Sequence, residues 1–149
     1  MPRSYPSHPV VGVGAVVWRG EDVLLVRRAN PPRPGSWTLP GGAQHVGETV
    51  AEAVHREIRE ETGVEIEIFD VVAVVDLIDR DDAGAVRFHY TVVDLLAEWR
   101  HGEATAGDDA DAVAWVGTDD LDAFGVSPQA KRVIATAAGM RRRAIPANP

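Results

Sequence analysis

The chain of 149 residues contains no cysteine. Disulfide bonds and thiolate metal sites are therefore excluded, and any bound metal would need oxygen or nitrogen ligands. This composition favours a reducing compartment, so we expect the protein in the cytoplasm.

Positive charge is scarce, because 15 Lys and Arg residues stand against 23 Asp and Glu residues, giving a formal net charge of -8. A broad basic surface for nucleic acid or anionic lipid is not expected from this balance. The apolar stretch from Val10 to Trp18 contains two glycines and is too short for a membrane span. We therefore expect neither nucleic acid nor membrane as a partner, and a polyphosphate ligand would need a cation.

Length and a hydrophobic content of 45% are typical of a single domain, residues 1–149. Residues 1–9 hold three prolines and are predicted to form a loose N-terminal arm. Apolar and β-branched runs predict strands, while NPPRPGSW is predicted to be a loop and TLPGG a short extended segment. The predicted strands are 10–18, 23–28, 65–78, 86–99 and 112–117, with the turn DRDDAG at 79–84 and a loop at 100–111.

Two helices are predicted from their end signals. Thr49 with Glu52 three residues later fits a capping box, and Gly63 marks the stop, so the first helix spans 49–62. Ser127 and Pro128 fit the start of a last helix that ends near the arginines at 141–143. Strands mixed with helices at two places predict an α/β domain.

The first helix carries Glu57, Glu60 and Glu61 within a fan of roughly 100° around its axis. Like charges three and four residues apart destabilise a helix. A hard divalent cation would turn this repulsion into coordination, because such ions prefer clusters of oxygen ligands. The alternative is an ordinary solvated acidic face, supported by ion pairs with Arg56 and Arg59.

The residues around this helix follow a longer pattern. The chain reads Gly42, five residues, Glu48, seven residues, and then REIREETGV. This pattern resembles the signature box of the Nudix hydrolases at every defining position, and SWTLPGG, GDDA and AWV are similar to the family as well. One position departs, since His45 stands where family members often carry an acid. The resemblance implies a Nudix-type α/β/α sandwich with a mixed β-sheet between helices.

The resemblance also implies a metal site. Glu57, Glu60 and Glu61, with the backbone carbonyl of Gly42, are expected to hold Mg²⁺ or Mn²⁺. Such ions offset the charge of a diphosphate and template the attack of water on it. The water still needs a proton acceptor, and we expect this base to be Glu57 or Glu60.

Two further box residues are expected to act together, since the family resemblance implies that Glu48 pairs with Arg56 and braces the loop against the helix. We count both with the three glutamates as catalytic candidates. Glu48 also lies at the start of the helix, where the helix dipole favours a carboxylate.

Substrate contacts are expected outside the helix. Arg27 and Arg28 end a strand and must point to opposite faces, so at most one of them can face the cleft and contact phosphate. His45, Asp108 and Asp109 are further candidates, although each is also compatible with a solvated loop. Trp18, Trp37 and Trp115 are candidates for stacking on a base, or else for packing in the core.

The family resemblance implies hydrolysis of a nucleoside diphosphate linked to another group. Because the GDDA and AWV segments resemble small bacterial ADP-ribose pyrophosphatase-like members, we expect ADP-ribose as substrate, with AMP and ribose 5-phosphate as products. A second enzymatic hypothesis is hydrolysis of oxidised or noncanonical nucleoside triphosphates. A hypothesis of another functional class is a non-catalytic ADP-ribose-binding Nudix module. The sequence leaves open the substrate, the number of metal ions and the oligomeric state, with a homodimer as one option.

Overall fold

The protein is described here by a computed structural model covering residues 4–29 and 35–144. The predicted loop NPPRPGSW lies largely in 30–34, outside the described residues. The elements are β1 Val10–Arg19, β2 Asp22–Arg28, β3 Trp37–Thr38, β4 Gly41–Ala43, α1 Val50–Thr62, β5 Glu65–Arg80, β6 Val86–His101, β7 Ala110–Gly117 and α2 Pro128–Ala144, with a 3₁₀ turn at Thr118–Asp120.

All strands belong to one mixed sheet with the order β3-β2-β1-β6-β5, in which β4 also pairs with β1 and β7 with β2. Strands β1 and β6 run parallel, whereas β5 and β6 form the predicted antiparallel hairpin. A parallel pair needs a long crossover, and α1 lies within the chain segment that connects β1 to β6. The predicted α/β class is confirmed.

The two helices cover opposite faces of this sheet. Val54 and Ile58 of α1 are buried on one face, where they pack with Val17 of β1. Ile134 of α2 is buried on the other face with Val16. The alternation along β1 thus divides the core into two layers, which gives the expected α/β/α sandwich.

Several predicted segments need correction. Strand β5 continues to Arg80 and β6 begins at Val86, so the turn between them spans 81–85 and not 79–84. The segment TLPGG is interrupted at Leu39–Pro40, because proline has no N–H to continue a ladder. Strand β6 extends to His101 and β7 begins at Ala110, so the loop between them spans 102–109. The arm is not loose at Tyr5, whose N–H donates to the carbonyl of Arg87 at 2.7 Å and whose hydroxyl donates to Asp81 at 2.9 Å.

Helix α1 begins and ends as its sequence predicts. The side chains of Thr49 and Glu52 bond reciprocally to backbone N–H groups as a capping box, and Gly63 takes the left-handed conformation at the C-terminus with φ 74°. Within the described residues, neither helix is long and apolar enough to cross a membrane.

The loop at 102–109 closes the C-terminal end of α1. The N–H groups of Thr105 and Gly107 donate to the carbonyl oxygens of Thr62 and Glu61 at 2.9 and 2.8 Å. These carbonyls have no partner within the helix itself, so the loop satisfies them. The approach is close, since a Cβ at Gly107 would lie 2.1 Å from the carbonyl oxygen of Glu60.

Gly107→Ala should therefore separate this loop from α1. We expect it to lower the free energy of unfolding by about 2 kcal/mol, within the range typical of overpacking. Gly117→Ala is the matched control, because a Cβ there would make ordinary contacts at 3.5 and 3.6 Å. Urea denaturation measures both variants, and equal stability of the two would contradict the close approach.

Candidate active site

Two acids of α1 lie against the glycine pair of β4. Glu61 is only 6% exposed, and its carboxylate accepts a hydrogen bond from the N–H of Gly41 at 3.0 Å. The carboxylate of Glu57 faces Gly42, where a Cβ would lie 2.4 Å from its Cδ and Oε2 atoms. A side chain at position 42 would thus collide with the Glu57 carboxylate, and glycine allows this carboxylate to lie against the backbone of β4.

The charge of Glu61 is poorly compensated. Burial raises the pKa of Glu61 to about 7, and the negative charges of Glu57 and Asp109 raise it as well. The hydrogen bond from Gly41 and the positive charge of Arg28 lower the pKa but do not cancel the effect of burial. A bound cation would favour the ionised form of this carboxyl.

The predicted pair of Glu48 and Arg56 is confirmed in its geometry. Arg56 Nε and Nη2 donate to the two carboxylate oxygens of Glu48 at 2.6 and 2.9 Å. This bidentate contact lowers the pKa of Glu48 to about 2. Arg56 also donates to the carbonyl of Ala43 at 2.9 Å and to Glu57 at 2.8 Å. It therefore joins the loop, β4 and the acidic helix.

The three box glutamates differ in their surroundings. The side chains of Glu57 and Glu60 are 16% and 45% exposed, and Glu60 makes one contact of 3.2 Å with Arg56. Within 4–29 and 35–144, no three Asp, Glu or His side chains are gathered closely enough to form a ready metal site. The donors are nonetheless all oxygens, and Gly42 lets Glu57 lie against the backbone that carries the fourth donor, a set that chemically suits a hard divalent cation. The ligand assignment stays a prediction.

Arg27 and Arg28 lie on opposite sides of β2, as their alternation predicts. Arg27 pairs with Asp111 at 2.6 Å, and both side chains are nearly half exposed. Arg28 lies on the side of Glu61, whose pKa its charge lowers. Its Nε is buried and has no hydrogen-bond partner in the described part of the chain. A buried N–H of this kind is suited to a phosphate oxygen.

The remaining loop candidates contribute unequally. The side chain of His45 is 60% exposed, and its backbone N–H, not its ring, donates to Glu48 at 2.8 Å. Asp108 is exposed and its N–H donates to the carbonyl of Glu60 at 3.2 Å. Asp109 has φ 63°, and its charge acts on Glu61. Among the loop candidates, Asp109 therefore acts on the buried acid Glu61.

The tryptophans are mostly structural. Trp18 is 2% exposed, so the idea that it stacks on a base is wrong. Trp115 packs against the core under α1. Trp37 is half-buried and meets Phe124 edge to face at 5.1 Å.

The comparisons with known proteins agree on one family. A model of the NUDIX domain matches residues 8–137. An ADP-ribose pyrophosphatase of Methanocaldococcus jannaschii is 41% identical over 103 residues, covering 69% of this chain but only 59% of that protein. The nucleoside triphosphatase NudI of an Enterobacter species is 32% identical over 117 residues, covering 72% and 79% of the two chains.

A solved structure agrees with the fold. The MutT NUDIX hydrolase from Burkholderia pseudomallei superimposes with a TM-score of 0.75 and 33% identity. The match covers 87% of this chain and 98% of that protein. The two chains therefore share the same fold over most of their length.

The buried carboxyl of Glu61 should make stability depend on pH when no metal is present. Its pKa is raised from 4.5 to about 7 in the folded protein, so folding favours the protonated form. The unfolding free energy should then fall as pH rises from about 5 to 8, by on the order of 3 kcal/mol. Glu61→Gln should flatten this slope.

Urea denaturation in the presence of a chelator measures the effect at several pH values. Glu21→Gln is the control, because the side chain of Glu21 is 98% exposed. Equal slopes for the wild type and Glu61→Gln would show that the burial of Glu61 is not linked to protonation.

Proposed function

Since this chain belongs to the NUDIX domain family, we propose that it hydrolyses ADP-ribose to AMP and ribose 5-phosphate. The observation that carries the reaction type is the placement of Glu57 and Glu61 against the backbone of Gly41 and Gly42. The substrate is inferred from the archaeal ADP-ribose pyrophosphatase, which shares 41% identity over 103 residues. That relative is longer than the matched region, so its activity supports the substrate only as a proposal.

We assign the metal site to Glu57, Glu60, Glu61 and the carbonyl of Gly42. When bound, Mg²⁺ or Mn²⁺ supplies positive charge that offsets the charge of the diphosphate and of the acids. The buried and poorly compensated Glu61 supports this assignment, because a cation would stabilise its ionised form.

The chain itself supplies proton transfer and positioning. Glu57 or Glu60 accepts the proton of the attacking water. Arg56 holds Glu57 at 2.8 Å and is itself held by Glu48, which keeps the acidic helix in register with the loop. The buried Nε of Arg28 donates to a phosphate oxygen of the substrate.

The outer contacts are assigned by their position. The negative charge of Asp109 acts on Glu61. Asp108 anchors the same loop, because its backbone N–H donates to the carbonyl of Glu60. His45 and Arg27 are largely exposed and would contact the substrate only at the rim of the site. We also propose that residues 1–149 act as one domain on a small nucleotide in the cytoplasm, without nucleic acid or membrane as partners.

Hydrolysis of noncanonical or oxidised nucleoside triphosphates is the second candidate. It is favoured by the nucleoside triphosphatase relative, of which the match covers 79%. A non-catalytic module is disfavoured because all three box glutamates are present. A purely solvated acidic face does not fit Glu61, which is 6% exposed.

A substrate panel decides between these candidates. With Mg²⁺ or Mn²⁺, ADP-ribose should give the highest kcat/KM and yield AMP, as identified by chromatography. The comparison includes 8-oxo-dGTP, ordinary nucleoside triphosphates and other nucleoside diphosphate conjugates. Faster release of pyrophosphate from a triphosphate would replace the ADP-ribose assignment, and turnover of none would support a binding module.

Glu57→Gln and Glu61→Gln should each lower kcat by about 100- to 1,000-fold, or about 3–4 kcal/mol of transition-state stabilisation. Each change removes a negative charge beside the reacting diphosphate while keeping the shape of the side chain. Glu52→Gln on the same helix is the control, because glutamine also completes a capping box. Kinetics near wild type in a folded Glu57→Gln or Glu61→Gln variant would contradict the assignment.

A further inference from the structure

Two carboxylic acids are buried on one face of β6, four residues apart. Glu98 is 9% exposed and receives hydrogen bonds from Arg141 at 2.6 and 3.2 Å. Asp94 is 6% exposed, and no hydrogen bond or ion pair joins its carboxyl to any residue of 4–29 or 35–144. Within the described residues, Glu98 therefore has a cationic partner, whereas the carboxyl of Asp94 has none.

An unpaired buried carboxyl is unfavourable for folding. Burial alone raises the pKa of Asp94 to about 6, and no neighbouring cation opposes this effect. A leucine or asparagine would be easier to accommodate at this position. The presence of an acid there is accounted for if a ligand supplies the missing hydrogen bonds.

The strand beside Asp94 carries glycines on the face that Asp94 shares. Gly14 of β1 is its cross-strand neighbour, and a Cβ at Gly14 would lie 2.5 Å from Asp94 Oδ1. Gly12 lies on the same face of β1, two residues away. A Cβ at Gly12 would lie 3.1 Å from Val92 Cγ2, 3.7 Å from the carbonyl oxygen of Gly42 and 3.8 Å from Tyr90 Cδ1. We call the surface over Gly12 and Gly14 the β1 trough.

The β1 trough lies on the same face of β1 as Val16 and leads from Asp94 toward the Gly42 carbonyl. Its end at Gly12 is close to the Gly42 carbonyl, and its end at Gly14 carries the Asp94 carboxyl. Positions two apart on a strand are separated by about 7 Å. This separation is comparable with the length of a nucleoside, and the half-buried Tyr90 provides an apolar wall along it.

We propose that Asp94 is a specificity-determining residue that binds the N–H or O–H donors of the substrate's nucleoside. This inference rests on the proposed function, because it places the phosphates of the substrate at Gly42. The donors belong either to the base or to the ribose hydroxyls. Both offer the same chemistry to a carboxyl acceptor.

The test measures nucleotide binding and stability together. AMP binding is followed by calorimetry for the wild type, Asp94→Asn and Asp94→Leu, so the result does not depend on turnover. We expect Asp94→Leu to weaken AMP binding about 10- to 100-fold, as for the loss of a hydrogen bond to a charged group. Its Tm should equal or exceed that of the wild type, because an unpaired buried acid has been removed.

Glu98→Gln is the matched control. It disturbs the bond to Arg141, so it should lower Tm while leaving AMP affinity unchanged. A structural role for Asp94 would give the same pattern as Glu98→Gln, and that result would overturn the proposal. Unchanged AMP affinity in Asp94→Leu would overturn it as well.

Substrate analogues distinguish the two donor sources. If Asp94 binds the ribose, 2′-deoxy-AMP should bind weakly to the wild type and lose nothing further in Asp94→Leu. If Asp94 binds the exocyclic amino group of adenine, IMP should instead bind weakly to the wild type and lose no further affinity in Asp94→Leu. Binding of AMP that depends on Asp94, without hydrolysis of ADP-ribose, would retain this inference and reject the reaction. Failure of the wild type to bind AMP, GMP, IMP and 2′-deoxy-AMP would reject the inference.

Discussion

The contact between the backbone of Gly41 and Gly42 and the acids of α1 is the constraint on which the site depends. The N–H of Gly41 donates to Glu61, and the missing Cβ at Gly42 allows the Glu57 carboxylate to lie against β4. Burial raises the pKa of the Glu61 carboxyl and so disfavours its ionised form. The sandwich of two helices around a mixed sheet serves to hold β4 against α1 at this distance.

Local sequence signals predicted the elements that build this contact. The capping box at Thr49 and the stop at Gly63 involve residues close together in the chain, and both are present. The pairing of Glu48 with Arg56, which the family resemblance implied, is present as well. The strands of the long hairpin were also predicted, because their pattern is repeated over many residues. The box therefore carries enough local information to define the acidic helix and its brace.

Features that depend on distant strands could not be predicted in this way. Nothing near Asp94 in the sequence indicates that Gly14 lies beside it or that no cation does. Alternation along β2 predicted that Arg27 and Arg28 point to opposite faces. Which of the two lies near Glu61 depends on the neighbouring β7 and α1. Sequence patterns report propensity and periodicity, whereas these contacts follow from strand order.

The loop at 102–109 has a mechanical consequence for the acidic helix. It is hydrogen-bonded to the last turn of α1 through Thr105 and Gly107, and the N–H of Ala29 in turn holds the carbonyl of Asp109 at 3.1 Å. A displacement of Asp109 would therefore also displace the turn of α1 that carries Glu61. Because these hydrogen bonds join the loop to the end of α1, a ligand that repositions one of them would also reposition the other.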